Sequence, residues 1–395
     1  MPKIKENKSE ADFMLNFIKD ICDDIGPRPS YSEKEKQGAD YMLNKYKKYS
    51  EDVHSEDFIE RAAPTMIDFK LAAVFYFVSV ILYAFIPILS FILMIFALIA
   101  ILLEQIWNIR ILNLFGPEKR SQNVIAKLKP KEKAKKIIIF GNHIDSAYEL
   151  VLIRKLQQKF IILIGGALLF LILLPIFSLI KFILSGFQFI AVTIDVVYFI
   201  SLIGIPFTLP LFFFVSNRPV HGANDNLSAT AICLNLLKKL SKDPPLHTEL
   251  WFISFGAEEV GRKGSINFVK HHKKELENTY TINIETVGGK GRLAVLEQEV
   301  TVTHSSEVVN LLMDAASAIG KKLEPYKIPV AGGTDSWAFS KNGFKASAIT
   351  CLSETTIPEG WHCREDKPDI INKEKLKIVS DICESFIRII DNQDL

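Results

Sequence analysis

The sequence contains few cysteines, and they follow no pattern that indicates a disulfide framework or a cysteine zinc site. The chain has five, and no two of them are separated by only two residues: Cys22, Cys233, Cys351, Cys363 and Cys383. Secreted domains that depend on disulfides carry an even, closely spaced set, and zinc sites built from cysteines use closely spaced pairs. We therefore expect reduced thiols in a reducing compartment.

An excess of charge of one sign is also missing. Lysine and arginine total 47 and aspartate and glutamate total 45, which gives a net charge of +2. This value alone neither indicates nor excludes nucleic-acid binding, and no nucleic acid is expected as a partner. No apolar run follows the charged residues at the N-terminus, so no cleavable signal peptide is expected.

Apolar residues are concentrated in long runs, which explains a positive mean hydropathy of +0.19 in a chain with 23% charged residues. Leu71–Leu103 is uncharged over 33 residues, and Phe160–Ile180 is uncharged over 21. After Lys181, apolar sequence continues to Asn217. A helix needs about 20 apolar residues to cross the hydrocarbon core of a membrane. The second and third runs each suit one crossing, whereas the first suits a hairpin turning near Pro87 or one long tilted helix.

The rest of the sequence alternates between strand-like and helix-like patterns, which is typical of an α/β fold with a largely parallel mixed sheet flanked by helices. Buried-strand patterns occur at 135–143, 248–256, 280–285, 292–297 and 346–350. Helical patterns occur at 226–242, 264–277, 305–320 and 373–390. We expect all-α transmembrane inserts at the long apolar runs of this fold.

Polar side chains follow three of the predicted strands at the point where each strand ends. His143 and Asp145 follow the first strand, Glu258 and Glu259 follow the second, and Glu285 ends the third. In open α/β sheets, ligands bind at the carboxyl ends of the strands. We therefore expect these side chains to converge.

Histidine nitrogen and carboxylate oxygen are the ligands that zinc prefers in hydrolytic sites, where one position stays open for water. Besides the residues at the three strand ends, the chain offers Asp225 in GANDNLS and His362 in GWHCRED. An adjacent glutamate pair is ordinarily a solvated surface feature, but Glu258 and Glu259 follow a run of buried-strand character, where charge is costly without a partner. The five places together predict a zinc site.

This ordered set of motifs resembles the zinc-dependent exopeptidases of peptidase family 28, which include aminopeptidases and glutamate carboxypeptidases. The set consists of HxD at His143, GANDN around Asp225, the glutamate pair, a strand-end acid and WH…ED from Trp361. Residues 21–42 also resemble the opening helices of that family. Glu285 occupies a position where many members have aspartate, and NIETVGG is similar to the membrane-embedded endoplasmic-reticulum metallopeptidases of the same superfamily.

The resemblance implies a pair of zinc ions as cofactors. Asp225 would bridge the two ions. His143 and Glu285 would complete the shell of one ion, and Glu259 and His362 would complete the shell of the other. Two ions placed in this way would lower the pKa of a shared water molecule and polarise the scissile carbonyl.

The resemblance also assigns residues around the metals. Glu258 would be the general base, and Asp145 would orient the His143 imidazole as an outer partner. Trp361 stands where many members have a tyrosine that helps to stabilise the oxyanion, which leaves that role open here. Asp335 lies where the family often has an Asp-His pair, and it would bind substrate or brace the site.

The residues and the resemblance together predict a membrane-anchored zinc metallopeptidase, an aminopeptidase-like exopeptidase that acts on peptides near the lipid bilayer. A glutaminyl cyclase-like acyltransferase with a single zinc is one alternative, because those relatives also have a WH pair. His143 and Glu285 argue against it, since a one-metal site does not need them as ligands. An inactive membrane receptor or scaffold is the alternative of another class, and the complete set of ligand types argues against it. The oligomeric state stays open.

The ligand positions constrain the membrane topology. They lie before and after the apolar block at 156–217, so they meet only if that block crosses an even number of times, as two helices. The same argument favours a hairpin for the first run and about four crossings in total. The predicted catalytic domain occupies 1–65, 109–155 and 218–395, and the predicted transmembrane inserts occupy 66–108 and 156–217.

Basic residues indicate the orientation of the chain in the membrane. Between Glu104 and Lys159 the sequence has twelve lysines and arginines, whereas the opposite flank offers only Lys181. Short cytoplasmic loops carry the excess of positive charge in membrane proteins. We therefore expect an integral, multi-pass membrane protein with its catalytic domain in the cytoplasm, in agreement with the reduced cysteines.

Overall fold

The chain forms two compact units. The computed structural model describes residues 2–156, 159–329 and 332–392. The sheet unit consists of Met1–Glu60, Lys119–Tyr148 and Arg218–Leu395, and the helical unit consists of Arg61–Glu118 and Glu149–Asn217. The chain therefore leaves the sheet unit twice and returns twice. The domain borders predicted from the sequence stay a prediction.

Most strands belong to one mixed sheet. The described strands are β1 Asp52–Arg61, β2 Glu118–Leu128, β3 Lys136–His143, β4 Tyr148–Leu150, β5 Val215–Pro219, β6 Thr248–Phe255, β7 Thr279–Glu285, β8 Arg292–Glu299, β9 Val302–Thr303, β10 Glu324–Ile328 and β11 Lys345–Leu352. The sheet has the order β1-β2-β6-β3-β7-β11-β8-β10, with β9 beside β8, and β4 pairs separately with β5. Its middle strands β6, β3, β7 and β11 are parallel, whereas β2 and β8 run antiparallel to their neighbours β6 and β11.

Both faces of the middle strands are buried, which is why their sequences read as nearly continuous apolar runs. In β3, Ile138 packs into the core on one face and Ile139 packs into the core on the other. Phe252 and Ile253 of β6 divide in the same way. Successive side chains of a strand point to opposite faces, so the two cores are built from alternate residues.

Helices cover both faces of this sheet, and further helices make up the helical unit. The described α-helices are α1 Pro2–Asp24, α2 Glu33–Tyr46, α3 Ile67–Phe85, α4 Pro87–Trp107, α5 Val151–Leu156, α6 Phe160–Leu184, α7 Val196–Ile203, α8 Ile205–Thr208, α9 Ser228–Leu240, α10 Lys263–His272, α11 Ser306–Ala318, α12 Ser336–Lys341 and α13 Lys373–Asn392. Residues of α1, α9, α11 and α13 share a core with Ile138, and residues of α10 and α12 share a core with Ile139. A mixed sheet flanked by helices confirms the predicted fold class.

The helical unit contains the long apolar runs. α3 ends at Phe85 and α4 begins at Pro87, so the helical break expected near this proline is present. Proline fits the first turn of a helix, because its missing N–H would have no partner there. Four described stretches have the length and composition to cross a membrane: Ile67–Phe85, Pro87–Trp107, Phe160–Leu184 and Val196–Phe213.

An extended segment closes the break between α3 and α4. The backbone N–H groups of Ala191 and Thr193 donate to the carbonyl oxygens of Phe85 and Ala84, at 3.1 and 3.2 Å. Lys181 Nζ donates to the carbonyl oxygen of Thr193 at 2.6 Å. The last carbonyl oxygens of a helix have no partner within the helix, and this segment supplies partners for two of them at the end of α3.

Candidate active site

Three neighbouring strands of the sheet unit carry candidate ligands at their carboxyl ends. His143 is the last residue of β3, Glu285 is the last residue of β7, and Glu258 and Glu259 follow the end of β6. Since β6, β3 and β7 are adjacent and parallel, these side chains meet at one edge of the sheet. Asp225 lies in the turn before α9.

The first group of candidate ligands consists of His143, Asp225 and Glu285. His143 Nε2 lies 3.1 Å from Asp225 Oδ1 and 3.4 Å from Glu285 Oε1. The other ring nitrogen, Nδ1, lies 3.1 Å from the backbone oxygen of Asp145, which can only accept a hydrogen bond. The proton therefore belongs on Nδ1, and the lone pair of Nε2 faces the two carboxylates.

The second group consists of Asp225, Glu259 and His362. His362 Nε2 lies 3.3 Å from Asp225 Oδ2 and 3.0 Å from Glu259 Oε2. Asp225 therefore presents one carboxylate oxygen to each histidine. The loop between β11 and α13 brings His362 to this edge of the sheet, although it is distant from the other ligands in sequence.

Glu258 and Glu259 are consecutive, and both have a carboxylate oxygen within 4.8 Å of His143, but the nearest histidine differs between them. Glu258 Oε2 lies 4.0 Å from His143 Nε2, whereas Glu259 Oε2 contacts His362. The Glu258 side chain retains 12% of its exposure. Glu258 thus lies beside the group of His143, Asp225 and Glu285. It belongs to neither of the two groups that contain Asp225.

Several carboxylates lie close together in the site and are largely removed from water. Such groups are stable as anions only when positive charge is nearby. Burial raises the pKa of Glu285 to about 8 and raises the pKa of Glu258 well above its usual value. For Asp225, burial acts in the same direction, but its interactions with the neighbouring rings of His143 and His362 outweigh burial and hold its pKa below the usual range. Cations bound among these residues would balance the carboxylates.

The spacing of the donor atoms is close to that of ligands around zinc, with two of the four distances slightly shorter. Two ligands at about 2.0–2.2 Å from a tetrahedral ion lie about 3.3–3.6 Å apart. The four contacts between histidine nitrogens and carboxylate oxygens within the two groups measure 3.1, 3.4, 3.3 and 3.0 Å. Glu259 Oε1 is buried without a hydrogen-bond partner in the described part of the chain, so it is available as a ligand atom.

Part of the chain is similar to a known peptidase family. Residues 206–387 match the family model of Peptidase family M28. Aminopeptidase YwaD of Bacillus subtilis (strain 168) is 32% identical over 172 residues, which cover 42% of this chain and 37% of YwaD. The carboxyl-terminal part of the chain is thus similar to peptidase family M28. The family prediction, a family of zinc metallopeptidases, is confirmed, and the chain spans little more than a third of the length of this curated relative.

Solved structures share the M28 fold with this chain at low sequence identity. The zinc aminopeptidase BSAP from Bacillus subtilis has a TM-score of 0.58 and 19% identity, covering 96% of this chain and 95% of that structure. An aminopeptidase from Aneurinibacillus sp. strain AM-1 has a TM-score of 0.58 and 18% identity over 95% and 93%. Bacteroides thetaiotaomicron glutaminyl cyclase bound to N-acetylhistamine has a TM-score of 0.59 and 15% identity over 96% and 97%.

Asp145 contacts more of the M28 site than the His143 ring. Its Oδ1 lies 3.4 Å from His143 Nδ1, and the ring bonds the backbone oxygen of Asp145 instead. The carboxylate accepts the backbone N–H groups of Glu258 and Glu259, each at 3.1 Å, and the Ser30 hydroxyl at 2.6 Å. Asp145 therefore fixes the backbone of the glutamate pair as well as lying beside the histidine.

Three buried residues that hold the ligand segments were not predicted from the sequence. Asp366 accepts the backbone N–H groups of Asn224 and Asp225. Asn226 donates to Glu285 Oε2 at 3.1 Å and accepts the backbone N–H of Thr286 at 3.1 Å. Glu35 accepts the N–H of Ala257 at 2.7 Å. Asp366 and Asn226 lie inside the quoted motifs WHCRED and GANDN, and Glu35 lies in the segment 21–42 that resembles the opening helices of the family.

The remaining candidates lie close to this constellation. Trp361 stacks on the imidazole of His362, with ring centroids 4.2 Å apart and planes inclined by 27°. Asp335 precedes α12 and is fully buried, and neither of its carboxylate oxygens has a hydrogen-bond partner among the described residues. Burial raises the pKa of Asp335 to about 7.

Proposed function

We propose that this M28 chain is a zinc-dependent aminopeptidase that uses two zinc ions to hydrolyse peptide bonds. The observation that carries the proposal is the shared carboxylate of Asp225, whose two oxygens face His143 and His362 at 3.1 and 3.3 Å. One ion would be held by His143, Asp225 and Glu285, and the other by Asp225, Glu259 and His362. Each set offers three ligands and leaves a position open, as in catalytic zinc sites.

Zinc held by these residues would supply Lewis acidity, which polarises the scissile carbonyl and lowers the pKa of water. Glu258 takes the proton from the attacking water and delivers it to the leaving amine. Its carboxylate is placed for this role, since it lies 4.0 Å from His143 and outside both ligand sets that share Asp225. Asp145 accepts the backbone N–H groups of both Glu258 and Glu259. It therefore fixes the backbone from which the two side chains project in different directions.

The charge of the site favours a substrate with a free amino terminus. Six buried or partly buried carboxylates interact in and around it, and they would outnumber the four positive charges of two zinc ions: Asp145, Asp225, Glu258, Glu259, Glu285 and Asp335. Opposite charges attract strongly where water is scarce, and like charges repel there. An α-ammonium group is therefore favoured over an α-carboxylate, which supports cleavage from the amino end.

A glutaminyl cyclase activity is the second candidate, and the Trp361–His362 pair favours it. The fold is shared with glutaminyl cyclase structures, with a TM-score of 0.59 for the B. thetaiotaomicron protein. A single zinc would need only Asp225, Glu259 and His362. The placement of Glu285 and His143 around the other oxygen of Asp225 favours the two-metal peptidase.

Zinc analysis combined with a substrate panel tests the proposal. The purified full chain should contain two zinc ions and release amino-terminal residues from aminoacyl p-nitroanilides. Peptides with a blocked amino terminus, including carboxypeptidase substrates, should not be cleaved. One zinc per chain together with cyclisation of amino-terminal glutamine would contradict the proposed peptidase activity and support the cyclase activity.

We further propose that the helical unit anchors the enzyme in a lipid bilayer as a multi-pass segment, with the sheet unit in the cytoplasm. Four stretches of sufficient length and apolar composition support the anchor. Twelve basic residues between Glu104 and Lys159 support the orientation, because cytoplasmic flanks carry the positive charge.

A further inference from the structure

Asp366 ties the segment that carries His362 to the segment that carries Asp225. Its side chain is fully buried. One carboxylate oxygen accepts the N–H of Asn224 at 2.6 Å, and the other accepts the N–H of Asp225 at 3.1 Å. Asp366 is four residues from His362 in sequence, yet its contacts are with the turn that presents Asp225.

Two consecutive N–H groups bound by one carboxylate fix the backbone on both sides of an amide plane. Asn224 adds a second tie in the same direction, since its side-chain nitrogen donates to the backbone oxygen of Glu359 at 2.8 Å. Hydrogen bonds to residues 359–366 therefore fix the position of the backbone at Asp225. The position of the Asp225 carboxylate, which faces both histidines, depends on that backbone.

We propose that Asp366 is a positioning residue for Asp225, and that it sets the zinc affinity of both metal positions, including the one to which His362 does not belong. This inference rests on the proposed two-zinc function. Residues that hold metal ligands from outside typically change metal affinity by about 10- to 100-fold when they are replaced. The alternative is a local role, in which Asp366 only shapes the loop that carries His362.

Asp366→Asn removes the tie with little change in volume. The amide keeps one acceptor oxygen and replaces the other by an NH2 group, which faces an N–H donor and cannot accept its hydrogen bond. Glu365→Gln is the matched control, because it changes the same charge in the same loop at an exposed neighbour.

A chain that already carries His362→Ala separates the two roles. In this background the second position has lost a ligand, whereas His143, Asp225 and Glu285 of the first remain. We expect the His362→Ala chain to bind one zinc, measured on the full chain in detergent by competition with a chromogenic chelator. Adding D366N should lower the affinity of that zinc about 10- to 100-fold, and adding E365Q should leave it unchanged.

Each outcome has a separate meaning. Equal zinc affinity with and without D366N, in folded protein, overturns the positioning role and leaves the proposed function intact. A folded His362→Ala chain that binds no zinc overturns the assigned ligand set of the proposed function. If the double variant does not fold, D366N alone carries the test, since both zinc affinities must fall. A loss confined to one of the two ions then overturns the inference.

Discussion

At the scale of single residues, the adjacent acids Glu258 and Glu259 divide two tasks between them. Glu259 contacts His362 at 3.0 Å, while Glu258 remains 4.0 Å from His143. Asp145 accepts both of their backbone N–H groups, so the division is fixed by the backbone. One acid is thus placed to bind metal and its neighbour to move a proton.

Glu258→Gln tests this division. The amide cannot accept a proton from water, so turnover of an aminoacyl substrate should fall about 10²- to 10⁴-fold. The zinc content should stay at two per chain, because Glu258 is outside both proposed ligand sets. The exposed Glu277→Gln is the matched control. A Glu258→Gln enzyme with wild-type turnover would exclude Glu258 as the base.

Trp361 provides a second test at this scale, because its ring stacks on a proposed ligand. An aromatic pair contributes about 0.5–1.5 kcal/mol beyond its buried area. Trp361→Ala should therefore lower kcat/KM about 2- to 10-fold, whereas Trp361→Phe keeps a ring on His362 and should stay close to wild type. Equal losses in both variants would show that the indole N–H, and not stacking, is what matters.

The ligand candidates could be predicted because their residue types are unusual where strands end. His143 and Glu285 terminate buried strands, and charge in such places needs a partner. Asp366 and Glu35 could not be assigned, because their role lies in backbone N–H groups far away in sequence. Glu35, for example, binds the N–H of Ala257 across more than two hundred residues.

At the scale of elements, the buried parallel strands and their covering helices were predicted and several outer strands were not. The burial of β1 alternates regularly from His54 to Arg61, but the more buried positions include Glu56 and the exposed positions include Ile59, so the sequence carries no apolar period. β2 is buried but contains the polar run Ser121–Asn123, whose groups bond Glu35 and the backbone of Gly264. Such partners are supplied by the tertiary fold and cannot be read from β2 itself.

α13 buries one face along its whole length, and Phe386 on that face is fully buried. Phe386→Ala should lower the free energy of unfolding by about 3–5 kcal/mol, because it leaves a cavity in the core shared with α1, α9 and α11. Urea unfolding followed by tryptophan fluorescence measures the change. Ser385→Ala, a partly buried neighbour, should change it by less than about 0.5 kcal/mol.

A contact between β1 and α10 predicts a pH dependence. Hydrogen bonds from the His272 ring to the carboxylates of Glu56 and Glu275 raise the pKa of His272, and the bond to Glu56 lowers the pKa of Glu56 against the effect of burial. A raised histidine pKa stabilises the fold below the unfolded value, about 6.5, and this contribution disappears as the pH rises through the folded pKa. A lowered glutamate pKa acts in the opposite sense, and its contribution disappears in acid.

Glu56→Gln should therefore be less stable than the wild type by about 1 kcal/mol near pH 6, and the difference should shrink as the pH rises past the pKa of His272. Melting temperatures of the two proteins across this range measure the effect. Glu51→Gln, an exposed acid just before β1, serves as the control. A difference that does not change with pH would contradict an ionic contribution of His272.

At the scale of the whole molecule, the sequence predicted an interrupted domain because ligands lie on both sides of an apolar block. The structure contains a sheet unit built from three pieces of chain and a helical unit built from two. The crossing number could be argued from the positions of His143 and Asp225 alone. The broken form of the last stretch, α7, α8 and a 3-10 turn at Leu209–Phe213, could not be predicted from its hydropathy.

Cysteine labelling in intact cells tests the orientation. Ser185→Cys lies in the turn after α6, at the end opposite to the basic flank, and should react with a membrane-impermeant maleimide added outside. Glu365→Cys in the sheet unit should react only after the membrane is permeabilised. Both variants carry Cys363→Ser, because that thiol is partly exposed. The reverse labelling pattern would place the sheet unit outside the cytoplasm.

The bonds from Ala191 and Thr193 to the carbonyls of Phe85 and Ala84 have a consequence for biogenesis. When α3 and α4 are synthesised, the segment that bonds the end of α3 does not yet exist, because residues 86–190 are made before Ala191. In truncated nascent chains that stop before Ala191, α3 and α4 should therefore be extracted from the bilayer more easily than in longer chains. Extraction with urea or carbonate across a series of such chains would show the chain length at which α3 and α4 become resistant to extraction.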